Sequence, residues 1–195
     1  GYGGAPIMLD EGVLEAAGEP VESAYALHIT TQQPSGVVAV RPGPAMASSD
    51  TVHITVTGRG GHASNPSAGL DPIPVAAAIV QAIQVMVTRE VSVFDPAVVT
   101  IAKITAGTTD NVIPERAEML GTMRTLSEET RAAVTEKLHR VATSVAAGYG
   151  ASAEVRIQEG YPVTVNADSA VDLVHSTAVA LVGPDRAQLA KDPIM

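Results

Sequence analysis

The chain has 195 residues, 46% hydrophobic and 17% charged, with Lys+Arg 12 against Asp+Glu 21 and a formal net charge of −9. That length can bury the core of one large domain, or of a small domain with additional pieces, and the acidic balance repels phosphate backbones and anionic lipid, so neither nucleic acid nor a membrane surface is expected as a partner. Aromatic residues make up only 3%, so Val, Ile, Leu, Ala and Met must supply the core, and the lack of Cys excludes disulfides, thiolate catalysis and Cys-ligated zinc.

In chain order, Ala5 to Glu15 carries a helical pattern (Ile7, Met8, Val13, Leu14) that Gly18 and Pro20 end. Two short apolar runs follow, Ala24 to Ile29 and Val37 to Val40, and Pro42-Gly43-Pro44 then interrupts regular structure. Thr51 to Thr57 alternates as a half-buried strand, with Val52, Ile54 and Val56 on one face. Asp71 and Pro72 open a helix with Ile73, Ala76, Ala77, Val80, Ile83 and Val87 at helical spacing. Ala97 to Thr105 and Ala117 to Thr125 read as strands. Ser127 caps a helix whose stripe is Val134, Leu138, Val141 and Val145, and Ala153, Val155 and Ile157 form another strand. From about Ser48 to Glu159 the order is βαββαβ, a ferredoxin-like antiparallel sheet with two helices on one face. A further helix is expected within Asn166 to Val182. The pieces before Pro42 and after Tyr161 then belong to a second domain into which this unit is inserted, giving expected boundaries of 1–45, 46–160 and 161–195. No apolar run is read as reaching the roughly 20 residues of a membrane span, no export signal is seen, and the cytoplasm is the expected location. The ends, Gly1 and Lys191 to Met195, read as those of a piece cut from a longer protein.

Gly58-Arg59-Gly60-Gly61-His62-Ala63-Ser64 presents an imidazole on a glycine loop. It also matches G-x-G-x-x-A after a strand, but Asn65 to Gly69 delays the helix and Ile79 to Val85 holds no acid for a ribose, so the dinucleotide reading fails on context. Asn111, in Asp110-Asn111-Val112-Ile113-Pro114-Glu115, and Arg124, in Gly121-Thr122-Met123-Arg124-Thr125, add an amide and a guanidinium. With His62 they are expected to form one compact grip on an anionic or carbonyl substrate. The ordinary reading of Asn111 is a turn residue, and of Arg124 a solvated strand end. His53, His139 and His175 read as structural or solvated. His28, in Ala26-Leu27-His28-Ile29, reads either as a buried core histidine or as a strand-end metal ligand, and a catalytic zinc needs three protein ligands.

Taken together, Ala26-Leu27-His28, Gly36-Val37-Val38, Arg41 to Ala47, Gly58 to Pro66, Asn111 to Pro114 and Gly121 to Thr125 resemble the aminoacylase, hippurate hydrolase and indoleacetyl-amino-acid hydrolase branch of the carboxypeptidase G-type zinc-peptidase superfamily. The resemblance implies an α/β catalytic domain, present only in part, with the βαββαβ unit inserted as a lid and dimerisation domain. It implies that His28 ligates one of two divalent metal ions (Zn, Mn, Co or Ni), that His62 reaches the partner subunit's site to stabilise an oxyanion, and that Asn111 and Arg124 bind substrate. The implied activity is metal-dependent hydrolysis of the amide bond of N-acyl amino acids by a homodimer. A general-base Glu and most metal ligands of the family have no counterpart here, so the chain by itself is expected to be inactive. A non-catalytic dimerisation or small-ligand-binding module is the alternative.

Overall fold

The computed structural model describes residues 3–195. In chain order the elements are α1 (Gly4–Asp10), β1 (Val38–Val40), β2 (Gly43–Met46), β3 (Asp50–Thr57), β4 (Gly61–His62), α2 (Pro72–Glu90), β5 (Ala97–Ala106), β6 (Val112–Ile113), β7 (Arg116–Thr125), α3 (Glu128–Gly148), β8 (Ser152–Gln158), β9 (Thr164–Asn166), α4 (Asp168–Val182) and β10 (Ala187–Leu189). They fall into two compact units, Gly1–Gly43 with Asn166–Asp192, and Pro44–Val165 with Pro193–Met195.

The larger unit is the α+β module expected from the pattern. Its sheet has the order β5-β7-β3-β8, and every neighbouring pair is antiparallel. The period of two in β3 buries Val52, Ile54 and Val56, while Thr51, His53 and Thr55 point to the opposite, open face. Met119 and Met123 of β7 and Val155 of β8 join them beneath the helices, which contribute Val75, Ile79, Ile83 and Met86 from α2 and Val134, Leu138 and Ala142 from α3. Asp71 caps α2 by accepting from the Ile73 amide at 2.9 Å, and Ser127 caps α3 by accepting from the Thr130 amide at 3.0 Å. Strand β5 carries a register shift between Ile101 and Lys103, so Ala102 is an extra residue on this edge strand. Gly121 sits opposite, where a Cβ would come 2.3 Å from the Thr100 carbonyl oxygen; only glycine lets β5 and β7 approach so closely.

Helix α2, at 19 residues, is long and apolar enough by length and composition to cross a membrane, contrary to the expectation that no such run exists. Its buried stripe belongs to the core of the module, and its remaining apolar side chains, including Ile73 and Val85, are exposed. Two apolar faces on one helix account for the hydropathy.

In the smaller unit, β1 and β10 pair in parallel, Val38 opposite Ala187 and Val40 opposite Leu189, and α4 packs on both strands. Two expectations need correction here. Helix α1 ends at Asp10 and not at Glu15, because Gly12 adopts φ +78, a left-handed conformation that terminates the helix. The apolar run Ala24 to Ile29 is neither strand nor core: it has no ladder partner among the described residues, and Leu27 and Ile29 are 84% and 90% exposed. An apolar run becomes a strand only when another strand supplies its hydrogen bonds.

Candidate functional site

The glycine loop is shaped by close backbone approach. A Cβ on Gly58 would lie 2.1 Å from the Leu70 carbonyl oxygen, and Arg59 and Leu70 exchange backbone hydrogen bonds of 2.8 Å in both directions. No α-helix opens at the loop, which holds only a 3-10 turn at Pro66–Ala68; α2 starts at Pro72, as the failed nucleotide reading requires. The chain instead makes the short strand β4, which pairs with β6 so that His62 lies opposite Val112, and the Ala63 amide donates to the Asn111 carbonyl at 3.0 Å. His62 and Asn111 are therefore neighbours on one small ribbon, and both are exposed.

The tautomer of His62 follows from its partners. The Ser64 backbone amide donates to Nδ1 at 3.2 Å, and an N–H can only donate, so Nδ1 is the unprotonated acceptor. The Ser64 hydroxyl lies 2.8 Å from the same atom. The proton of a neutral ring then resides on Nε2 of this exposed side chain. Ser64 is the positioning residue that sequence reading missed; its place two residues after an exposed loop histidine was the available signal.

Arg124 lies elsewhere. In β7 it points to the open face, between the buried Met123 and Thr125, and its Nη1 donates to the Met123 carbonyl at 3.0 Å. Thr57 pairs with Arg116 at the other end of β7, and the β4–β6 ribbon continues beyond that end. Arg116 and Arg124 are eight residues apart, roughly 26 Å at strand rise, so one copy of the chain does not bring Arg124 to His62 and Asn111. The expectation of one compact grip is corrected in this respect: two of the three groups come together, and a strand's length separates the third.

The Arg124 end is pinned by buried polar contacts. Asp50, with a fully buried side chain, accepts from Arg131 Nε at 2.9 Å and Nη2 at 2.5 Å and from the Gly160 amide at 3.0 Å. Ser48 and Thr125, both fully buried, join through their hydroxyls at 2.9 Å. Asp50 raises Arg131 above the ordinary guanidinium range by its hydrogen bond, against the opposing pull of burial.

His28, in the smaller unit, is exposed, with Nδ1 2.7 Å from the Ile29 carbonyl. It is neither a core histidine nor at a strand end. Among the described residues no group of three or more His, Asp or Glu side chains could hold a metal ion, so the residues present do not fit a two-metal centre. His53, on the open face of β3, has a buried Nε2 without a hydrogen-bond partner.

The family model described as peptidase dimerisation domain matches residues 46–150. The chain is 40% identical to thermostable carboxypeptidase 2 of Saccharolobus solfataricus over 175 residues, 89% of this chain and 44% of that protein. It is 44% identical to N-acetylcysteine deacetylase of Bacillus subtilis over 153 residues, 78% of this chain and 39% of that protein. A crystal structure of a dinuclear metal-binding peptidase of the M20 family from Bacillus subtilis superimposes with a TM-score of 0.74 at 33% identity, covering 97% of this chain and 45% of that one. The chain thus spans about half the length of the relatives it matches. With more than half its length inside the matched region, and with a solved M20 structure superimposing over 97% of it at 33% identity, the chain belongs to the M20 peptidase family and carries that family's dimerisation domain.

Proposed function

We propose that this chain is the dimerising and substrate-gripping part of a metal-dependent amidohydrolase that cleaves the amide bond of N-acyl amino acids or related amides. Its relatives include proteins named for carboxypeptidase and deacetylase activity. A two-metal centre of Zn, Mn, Co or Ni is proposed for an enzyme of full family length, with His28 the single candidate ligand in this chain. The described residues do not form that centre.

The observation that supports the reading is the placement of His62, whose Nδ1 accepts from the Ser64 amide, and of Arg124 at opposite ends of one sheet. A homodimer resolves their separation. Among the described residues, edge strand β5 is unpaired on one side, and α2, which packs over β5, exposes Ile73 and Val85. Strand β5 exposes Val98 and Ile104, whereas β8 exposes no large hydrophobic side chain and carries Glu154 and Arg156, so β5 is the edge suited to a second copy. Two-fold pairing of β5 with its equivalent, helices on the same face, makes the strands antiparallel. The Arg124 end of one copy then lies beside the His62 and Asn111 end of the other.

In this arrangement Arg124 holds the substrate carboxylate through its planar fork, and Asn111 of the partner subunit offers its amide to the substrate. The Nε2–H of the partner subunit's His62 donates to the carbonyl oxygen as negative charge develops on it. We place the enzyme in the cytoplasm. In a full-length enzyme carrying these residues, His62→Ala should retain fold and metal content while kcat falls on the order of 10²–10³-fold, the usual loss for one oxyanion donor. Turnover within a few-fold of the parent would refute the assignment.

A further inference from the structure

The dimer surface described above has an asymmetry along its length that bears on how two copies recognise each other. The turn between α2 and β5 holds Val93, 80% exposed, and Phe94, 95% exposed, the only Phe in the protein. This is a held turn. The Phe94 amide donates to Ser92 Oγ at 3.2 Å, and the next residue, Asp95, accepts from Ser127 Oγ at 2.5 Å and Thr130 Oγ1 at 2.6 Å before Pro96 starts the approach to β5. A side chain of this size kept in water by a fixed backbone is the form of an interface anchor, because little conformational entropy remains to be lost on docking.

A seat of matching chemistry lies at the far end of the same edge. Ile104 of β5 pairs in register with the buried Met119, so it faces the helix side of the sheet, yet it is 51% exposed. Ile73, in the first turn of α2, is 45% exposed. Helix α2 leads from the end of β3 back to the start of β5, so its first turn lies toward the end of β5 where Ile104 sits, and its last turn lies toward Val93 and Phe94. Knob and seat are too far apart to meet within one copy: the 19 residues of α2 separate them by roughly 28 Å. A two-fold axis lying between the two paired β5 strands, level with their middle, brings opposite ends side by side, and so sets the knob of each copy on the seat of the other.

We propose that Val93 and Phe94 of each copy dock on Ile73 and Ile104 of a second copy of this chain, two identical contacts that fix the register of the dimer. The proposal rests on the dimer reading above and adds the residues that select the partner and its alignment. Because the knob adjoins β5 at the Arg124 end, this contact also holds the partner subunit's Gly107 to Asn111 turn beside Arg124.

Sedimentation equilibrium on the 195-residue chain and two variants, Phe94→Lys and Ile104→Glu, tests the proposal. Both residues are at least half exposed, so far-UV circular dichroism should be unchanged in each variant. Each variant should weaken dimerisation on the order of 10³-fold, since the symmetry removes two anchor contacts at once. An equimolar mixture should recover heterodimer, because one contact then sets the introduced lysine against the introduced glutamate and the other is unaltered. A monomeric unaltered chain would overturn the dimer reading and this proposal together. A dimeric unaltered chain with Phe94→Lys still dimeric at the same concentration, or with a mixture that stays monomeric, would overturn the knob-and-seat contact alone.

Discussion

Arg131→Met isolates the contact that holds the Arg124 end of the sheet in place. Asp50 has no exposed side-chain surface and Arg131 is 12% exposed, with Nε–Oδ2 and Nη2–Oδ1 contacts of 2.9 and 2.5 Å. After the substitution the Asp50 carboxylate keeps the Gly160 amide but no countercharge, and leaving one partner of a buried pair uncompensated costs about 3–5 kcal/mol. The second pair, Arg131 with Glu128 at 3.1 Å, involves a carboxylate 60% exposed, so its loss adds at most about 1 kcal/mol. At about 2–4 °C per kcal/mol for a chain of this size, the melting temperature of the larger unit should fall by roughly 6–20 °C. Scanning calorimetry measures this, with Leu138→Ala, a truncation of a fully buried core residue, identifying the same transition by its own loss of about 2–5 kcal/mol. Removing both charges, in Asp50→Asn with Arg131→Met, should cost less than Arg131→Met alone. The guanidinium is raised above its unfolded value, so the pair's contribution is fully present below that value and alkaline titration to about pH 11 should not remove it. A loss below about 1 kcal/mol for Arg131→Met, or a double variant as unstable as the sum of the singles, would refute the reasoning.

Gly121→Ala should destabilise the larger unit by more than about 3 kcal/mol, since its Cβ would meet the Thr100 carbonyl at 2.3 Å and the Ile101 side chain at 2.9 Å; urea unfolding with an unchanged midpoint would contradict this. Asp71→Ala should cost about 1 kcal/mol through loss of the α2 cap, read in the same assay. His53→Val should stabilise the unit by about 1 kcal/mol, because it removes a buried nitrogen without a partner from a strand that favours β-branched residues; a lower melting temperature would show that His53 has a partner in solution.

Much of the larger unit was legible because its information is local. The alternation of Val52, Ile54 and Val56, the stripe of Val134 and Leu138, and the caps Asp71 and Ser127 each specify an element from a few adjacent residues, and the βαββαβ order leaves few ways to pair the strands. What was not legible is non-local. Asp50 and Arg131 are far apart in sequence, and nothing near either one announces the pair. The separation of Arg124 from His62 depends on register: both follow recognisable motifs, but only the pairing of Thr57 with Arg116 shows that they lie at opposite ends of the sheet. The segment around His28 was misread for a related reason, since an apolar run specifies a strand only if a neighbouring strand is there to bond it. Ser64 was overlooked because its effect passes through the tautomer of another side chain. The family resemblance carried the roles proposed for His62, Asn111 and Arg124, and the distance of Arg124 from the other two is why the proposed site draws on two copies.

Subunit mixing tests the composite site most directly. In a full-length enzyme carrying these residues, His62→Ala and Arg124→Ala should each be nearly inactive as homodimers. Each heterodimer has one site that takes Arg124 from the His62→Ala subunit and His62 from the Arg124→Ala subunit, and a second site that lacks both groups. Random exchange makes half the dimers hybrid, so the mixture should regain about a quarter of the unaltered activity. A mixture that stays inactive while subunit exchange is verified would contradict a site shared between two copies.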